Sequence, residues 1–158
     1  MIAIHNGIPT AAELRAFALE YRRSDPDPGA TTRQLASVEA NEEVLEVLSE
    51  SFTSVGDTYD RLVRTEQSFR ERDDRRSVFL TVYARMTSAV RSGIRSGRFA
   101  DEDWTREYVV AFANYYRRAL LAFERRDLEA VPAPWRIGFT ASVRGDTLIA
   151  QDALSGIN

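Results

Sequence analysis

SVFLTVYARMTSAVRSGIRSGRFADEDWTREYVVAFANYYRRALLAFERR, residues 77–126, decides how this chain folds. Val78, Phe79, Val82, Tyr83, Met86, Val90 and Ile94 recur at spacings of three and four, which places them on one stripe of an α-helix. Arg91, Arg95 and Arg98 gather at its end, where a helix dipole favours cations. Gly97 is positioned to stop it. Asp101, Glu102 and Asp103 then load the next N-terminus with the negative charge that suits the opposite pole. Trp104, Tyr108, Val109, Phe112, Tyr116, Leu120 and Phe123 make a second stripe. Two long amphipathic helices joined by a short turn pack antiparallel, stripe to stripe. Tyr83 lies within the first apolar row and Asn114 at the edge of the second.

The flanking sequence extends this helical pattern. Thr10 to Glu13 is a capping box, opening a helix with Leu14, Phe17, Ala18 and Tyr21 on one face. It ends near Arg23, before the turn-forming run Ser24–Gly29. A second helical region is expected from Thr31 or Thr32 through Leu45, Leu48, Phe52 and Val55, with Asn41 recapping it midway. Gly56 is expected to stop it and Asp57 to cap the next helix, which carries Tyr59, Leu62, Val63 and Phe69. Glu39, Glu42, Glu43, Glu46 and Glu50 read as a solvated acidic face. Residues 70–76, RERDDRR, read as a solvated helix junction. Downstream, Pro132 and Pro134 break the long helix, and Pro134 suits the start of a shorter one packed by Trp135, Phe139 and Val143. After Gly145-Asp146, Leu148, Ile149, Ala153, Leu154 and Ile157 begin a last helix. The expected fold is all-α: one helical domain over residues 1–158, a bundle of about six helices around a central antiparallel pair.

The totals limit what this bundle can do. At 158 residues the chain fits one domain and buries roughly 70% of the surface of its unfolded form. There is no cysteine, so disulfides, thiolate metal sites and cysteine nucleophiles are excluded. All 21 basic side chains are arginine, so there is no Schiff-base lysine and no phosphate-loop lysine. His5 is the sole histidine, which rules out the paired Glu-x-x-His motifs of di-iron bundles. The net charge of −3, with acids interleaved among the arginines, argues against nucleic-acid binding. No run of about 20 apolar residues is present to span a membrane. The N-terminus lacks the pattern of a signal peptide, so the cytoplasm is the default compartment. No cofactor is evident.

By this point the chain resembles a known group. The segments FLTVYARMTSAV, GRFADEDW, VVAFANYY, PAPWRIGF and IAQDALSGIN occur in the order and spacing of the prokaryotic family called domain of unknown function 5995. The resemblance covers roughly Ser77 to Asn158. It picks out Tyr83 and Thr87, then Phe112, Asn114 and Tyr116, then Trp135, then Gln151, Gly156 and Asn158. Thr81 stands where the pattern has asparagine. The resemblance also implies further chain after Asn158, with an Ala-His-Ile-Asn segment that would supply a histidine to a polar site. This chain is therefore expected to be the N-terminal part of a longer domain, and a metal ion is expected only if that further segment supplies ligands.

Two functions follow as expectations. One is a polar pocket between helices, lined by Tyr83, Thr87, Asn114, Tyr116, Gln151 and Asn158, which binds a small ligand or serves a hydrolase-like enzyme. These side chains supply hydrogen bonds rather than acid–base power. The other is a helical interaction module, a subunit of a homo-oligomer or the partner of a C-terminal fragment of the same protein. For Tyr83 and Asn114 the plainer role is packing, with the hydroxyl on a carbonyl and the amide on a neighbouring helix. Tyr115, Arg117 and Arg118 are expected to face solvent or a partner.

Overall fold

Residues 39–144 are those that the computed structural model describes. Asn41 opens the first helix, α1 (Glu42–Val47), by accepting the Val44 amide at 3.3 Å. Asn41 thus starts a helix here, and α1 does not run on to Val55. It stops at Val47, and the chain crosses to Ser54 as an irregular connector in which Phe52 is buried. The physical reason is that arginines from other helices take the carbonyls this connector frees, as described below.

Ser54, not Asp57, caps α2 (Val55–Arg70) by accepting the Asp57 amide at 3.1 Å. Asp57 returns the favour to the Thr53 amide at 2.9 Å. Gly56 therefore lies inside the first turn instead of ending a helix. A tight turn through Asp73, at φ 54°, leads into α3 (Arg76–Arg95). That helix ends where the sequence places its stop. Gly97 adopts φ +63°, Arg98 donates to the Gly93 carbonyl at 3.0 Å and Gly97 to that of Ile94 at 3.2 Å. This is a Schellman closure, which needs a residue free to take the left-handed conformation. Asp101 caps α4 (Glu102–Glu124) through the Trp104 amide at 2.9 Å. Pro134 sits in the first turn of α5 (Ala133–Arg144), and Trp135 and Phe139 are buried beneath it.

Among the described residues there are five helices and no strand, and the fold is an all-α single domain. The helices expected at residues 10–23 and beyond residue 146 lie outside the described residues. No helix among the described residues is long and apolar enough to cross a membrane. α2 and α3 lie alongside one another, antiparallel, along most of their length. α3 and α4 stand further apart and meet through rings, Tyr83 on Phe112 and Phe79 on Tyr116. Leu62, Phe69, Leu80, Leu120 and Phe123 are fully enclosed at the centre.

Double flanking of α3 explains where the stripes depart from expectation. α2 covers its Leu80–Ala84 side and α4 its Phe79–Tyr83 side, so the buried face is centred between them. Met86 falls outside it and is 53% exposed. On α4 the buried residues cluster from Ala113 onward. Trp104 and Tyr108, expected in the facing stripe, are instead 61% and 56% exposed, because that end of α4 extends past the core. The glutamates of the α1 region are exposed as expected, and so are residues 70–73 of the RERDDRR junction, but its last residue, Arg76, is buried.

Candidate functional site

The junction and the end of α4 build one closed polar core. Arg76 is 4% exposed and Glu124 only 1%. The Arg76 guanidinium donates to Glu124 Oε1 and, at 2.6–3.1 Å, to both oxygens of Asp74. Glu124 Oε2 accepts the Asn41 amide at 3.1 Å, and the Asn41 side-chain amide donates to Ser68 Oγ at 3.0 Å. The Arg76 plane also lies 4.3 Å from the Phe69 ring centroid. Burial opposes the charge on Arg76, but hydrogen bonding to Asp74 and the nearby Glu124 charge outweigh it and hold the guanidinium above its ordinary range. The group ties α1, α2, α3 and α4 together, and its charges are satisfied from within. A buried pair of this kind fixes geometry and has no capacity left for a ligand.

Asn114 belongs to a second internal device. Its Oδ1 accepts the Phe52 amide at 2.9 Å and Arg117 Nε at 3.1 Å. Its Nδ2 donates to the Phe52 carbonyl at 2.9 Å and the Val110 carbonyl at 3.1 Å. Both donors and both lone-pair positions are thereby occupied. Arg117, expected at the surface, is 7% exposed and donates to the Leu48 carbonyl at 2.6 Å. Burial pushes its guanidinium below the ordinary range, and Arg61 adds to that. Arg61 grips the same connector from α2, with Nε 2.9 Å from the Val47 carbonyl and Nη1 3.1 Å from that of Ser51. Two arginines and an asparagine thus satisfy the carbonyls that α1 leaves unpaired at its end. Tyr115 and Arg118 are exposed, as expected.

The remaining candidates meet at the seam of α3 and α4. Tyr83 and Tyr116 cross edge-on with ring centroids 5.6 Å apart, and Phe79, Phe112 and Trp135 surround them. Thr87 is buried and donates to the Tyr83 carbonyl at 2.9 Å, which holds it to its own helix. Tyr83 is 7% exposed, yet its hydroxyl has no hydrogen-bond partner among the described residues. The carbonyl expected for it is missing because the facing residues are rings. Burial pushes the Tyr83 phenol well above its usual range, and the nearby Tyr108 adds to this. Tyr116 is pushed up by burial as well, against the pull of Arg76. Both phenols are therefore neutral donors at physiological pH, without the basicity to remove a proton. From this seam a ladder runs outward along α4: Phe112 stacks on Tyr108 at 6.4 Å, and Tyr108 on Trp104 at 5.2 Å.

The structure therefore brings Tyr83 and Tyr116 together, keeps Thr87 bonded to its own helix and places Asn114 at a separate task. Gln151 and Asn158 lie outside the described residues. Among the described residues no three His, Cys, Asp or Glu side chains gather to hold a metal ion. Sequence reasoning missed Arg76, Glu124, Arg61 and Arg117. Their one signal was a charge at an apolar register position, as at Glu124 one residue after Phe123.

No curated protein and no solved structure matches the chain. A family model does match, over residues 55–158, which takes in α2 as well as the segments downstream of Ser77. On that match the chain belongs to the family of unknown function DUF5995.

Proposed function

We propose that the chain binds a small molecule in the α3–α4 seam, an apolar or aromatic body carrying one hydrogen-bond acceptor. The observation that carries this reading is the buried Tyr83 hydroxyl without a partner among the described residues. An unsatisfied buried hydroxyl costs about 1–3 kcal/mol, and phenylalanine would avoid that cost. A ligand carbonyl or ether oxygen would accept its proton. The surrounding rings would supply the apolar walls that such sites use. A hydrolase-like reaction would need a base from beyond this seam, since the tyrosines here are held neutral.

The test compares acetophenone with ethylbenzene, which differ by the acceptor, by NMR titration. Acetophenone is expected to shift Tyr83 and Phe112 resonances and to bind a few-fold more tightly, as one neutral hydrogen bond of about 0.5–1.5 kcal/mol allows. Tyr83→Phe is expected to erase that preference. If the unaltered protein treats both compounds alike, or binds neither, the reading fails.

A second reading has its own support in the exposed ladder of Trp104 and Tyr108 with Met86. On it the domain is an interaction module, pairing through α4 with a second copy or with a further segment of the same protein. Light scattering at high concentration separates the two readings. A dimer that Trp104→Ser dissociates favours the module; a monomer at every concentration removes the second copy.

A further inference from the structure

A groove of about 460 Å³ runs between α2 and α3, on the opposite side of α3 from the seam. Glu66 lies at its floor, 6% exposed. Its Oε1 accepts the Thr81 hydroxyl at 2.7 Å and is paired with Arg70. Its Oε2 has no hydrogen bond among the described residues and is not sealed from solvent. Tyr59 forms one wall, backed by Arg91 stacked 4.7 Å from its ring centroid. Arg85 stands one helical turn beyond Thr81, exposed and without an ion pair among the described residues. Ser88 lines the groove on the same helix.

The groove therefore offers one anionic acceptor, open and nearly buried, beside one uncommitted cation. Thr81, which bonds Glu66, and Arg85 are four apart on α3, where Cβ atoms stand about 5–6 Å from one another, so both charged groups line the same stretch of the groove. A simple cation would gain from Glu66 but be repelled by Arg70 and Arg85. A simple anion would meet the carboxylate. A carboxylate is a strong acceptor for an ammonium when both are screened from water. We infer that this groove is a second ligand site, taking a short zwitterion whose ammonium donates to Glu66 Oε2 and whose carboxylate accepts from Arg85. Thr81 and Arg70 are positioning residues, since they hold the carboxylate through Oε1 and leave Oε2 open.

Titration calorimetry with β-alanine, 4-aminobutyrate and 5-aminovalerate tests this, with butylamine and butyrate as single-charge controls. At least one amino acid is expected to bind saturably, and roughly tenfold more tightly than either control. Glu66→Gln keeps the acceptor for Thr81 but removes the charge, and Arg85→Ala alters only an exposed side chain. Each is expected to weaken binding by roughly tenfold or more, while Tyr83→Phe leaves it unchanged. Should Glu66→Gln not fold, Arg85→Ala alone decides. The inference is overturned if no amino acid binds below about 10 mM, if butylamine or butyrate matches the best of them, or if Arg85→Ala binds like the unaltered protein.

Discussion

The two ends of the α3–α4 pair are built from the same helices and follow opposite rules. At one end Arg76 of α3 meets Glu124 of α4, deeply buried, and the charges are answered by Asp74, Asn41 and each other. Toward the other end, the Tyr83 hydroxyl is buried without a partner among the described residues, and Trp104, Tyr108 and Met86 face outward. The first arrangement fixes where four helices stand. The second leaves binding capacity unspent. Stability and recognition are thus separated along one helix pair, and substitutions at the two ends should differ in size and in sign.

The largest effect belongs to the closed end. Glu124→Leu leaves the buried Arg76 guanidinium with Asp74 as its acidic partner and removes the acceptor of the Asn41 amide. It is expected to cost about 3–5 kcal/mol, read from denaturant unfolding. Adding Arg76→Met should recover part of that, since an apolar pair of similar volume replaces a buried ion pair with little loss while the Asn41 amide stays without its acceptor. A double variant as unstable as the single one would mean that the network is not the source of the cost.

Asn114→Ala comes next, and it tests the connector rather than either end. The change leaves the Phe52 amide and carbonyl half-buried without their partner and frees Arg117 Nε. A loss of about 2 kcal/mol is expected, at about 1–3 kcal/mol for each buried group left unsatisfied. Faster hydrogen exchange should be confined to residues near Phe52. If exchange instead rises at Tyr83 and Tyr116, Asn114 supports the seam and the two devices are not separate.

How much of this was legible in the sequence follows the same division. Local signals were legible in part: the Gly97 closure and the acidic first turn after Asp101 stand where the pattern puts them, while the cap and stop read at Asp57 and Gly56 gave way to Ser54. The family segments and the all-α class were legible for the same reason, since helical period is a local signal. Long-range polar contacts were not. Nothing near Arg117 in sequence says that a connector 69 residues upstream will need its guanidinium. Nothing near Asn114 says that the backbone of Phe52 will fill it. The single-stripe reading of α3 failed in a related way, because it assumed one neighbour where there are two, and so assigned Met86 to the core.

Alkaline pH should sharpen the contrast, because both phenols of the seam are held protonated by burial. Below about pH 10 the unfolded chain's tyrosines are neutral too, and the contribution of these buried phenols is fully present. Above it the unfolded chain releases protons that the fold retains. Stability should therefore fall as pH rises through that range, until the folded phenols ionise in turn. Unfolding midpoints between about pH 8 and 11 should decline, and less steeply in Tyr83→Phe than in the unaltered protein. Equal slopes would mean that Tyr83 titrates alike in both states.

The smallest effect should carry the opposite sign. Tyr83→Phe removes a hydroxyl that forms no bond among the described residues and keeps the ring against Phe79, Phe112 and Tyr116. Its neighbours lose no hydrogen bond, and one desolvated polar atom disappears. The variant is expected to be more stable than the unaltered protein, by about 1 kcal/mol, the lower end of the cost of an unsatisfied buried hydroxyl. Most substitutions in a core destabilise, so a gain at this position would mark the hydroxyl as retained for something other than folding. A loss of more than about 1 kcal/mol would show that the hydroxyl is bonded in solution. The seam would then be as closed as the Arg76 end, and the contrast between the two ends would disappear.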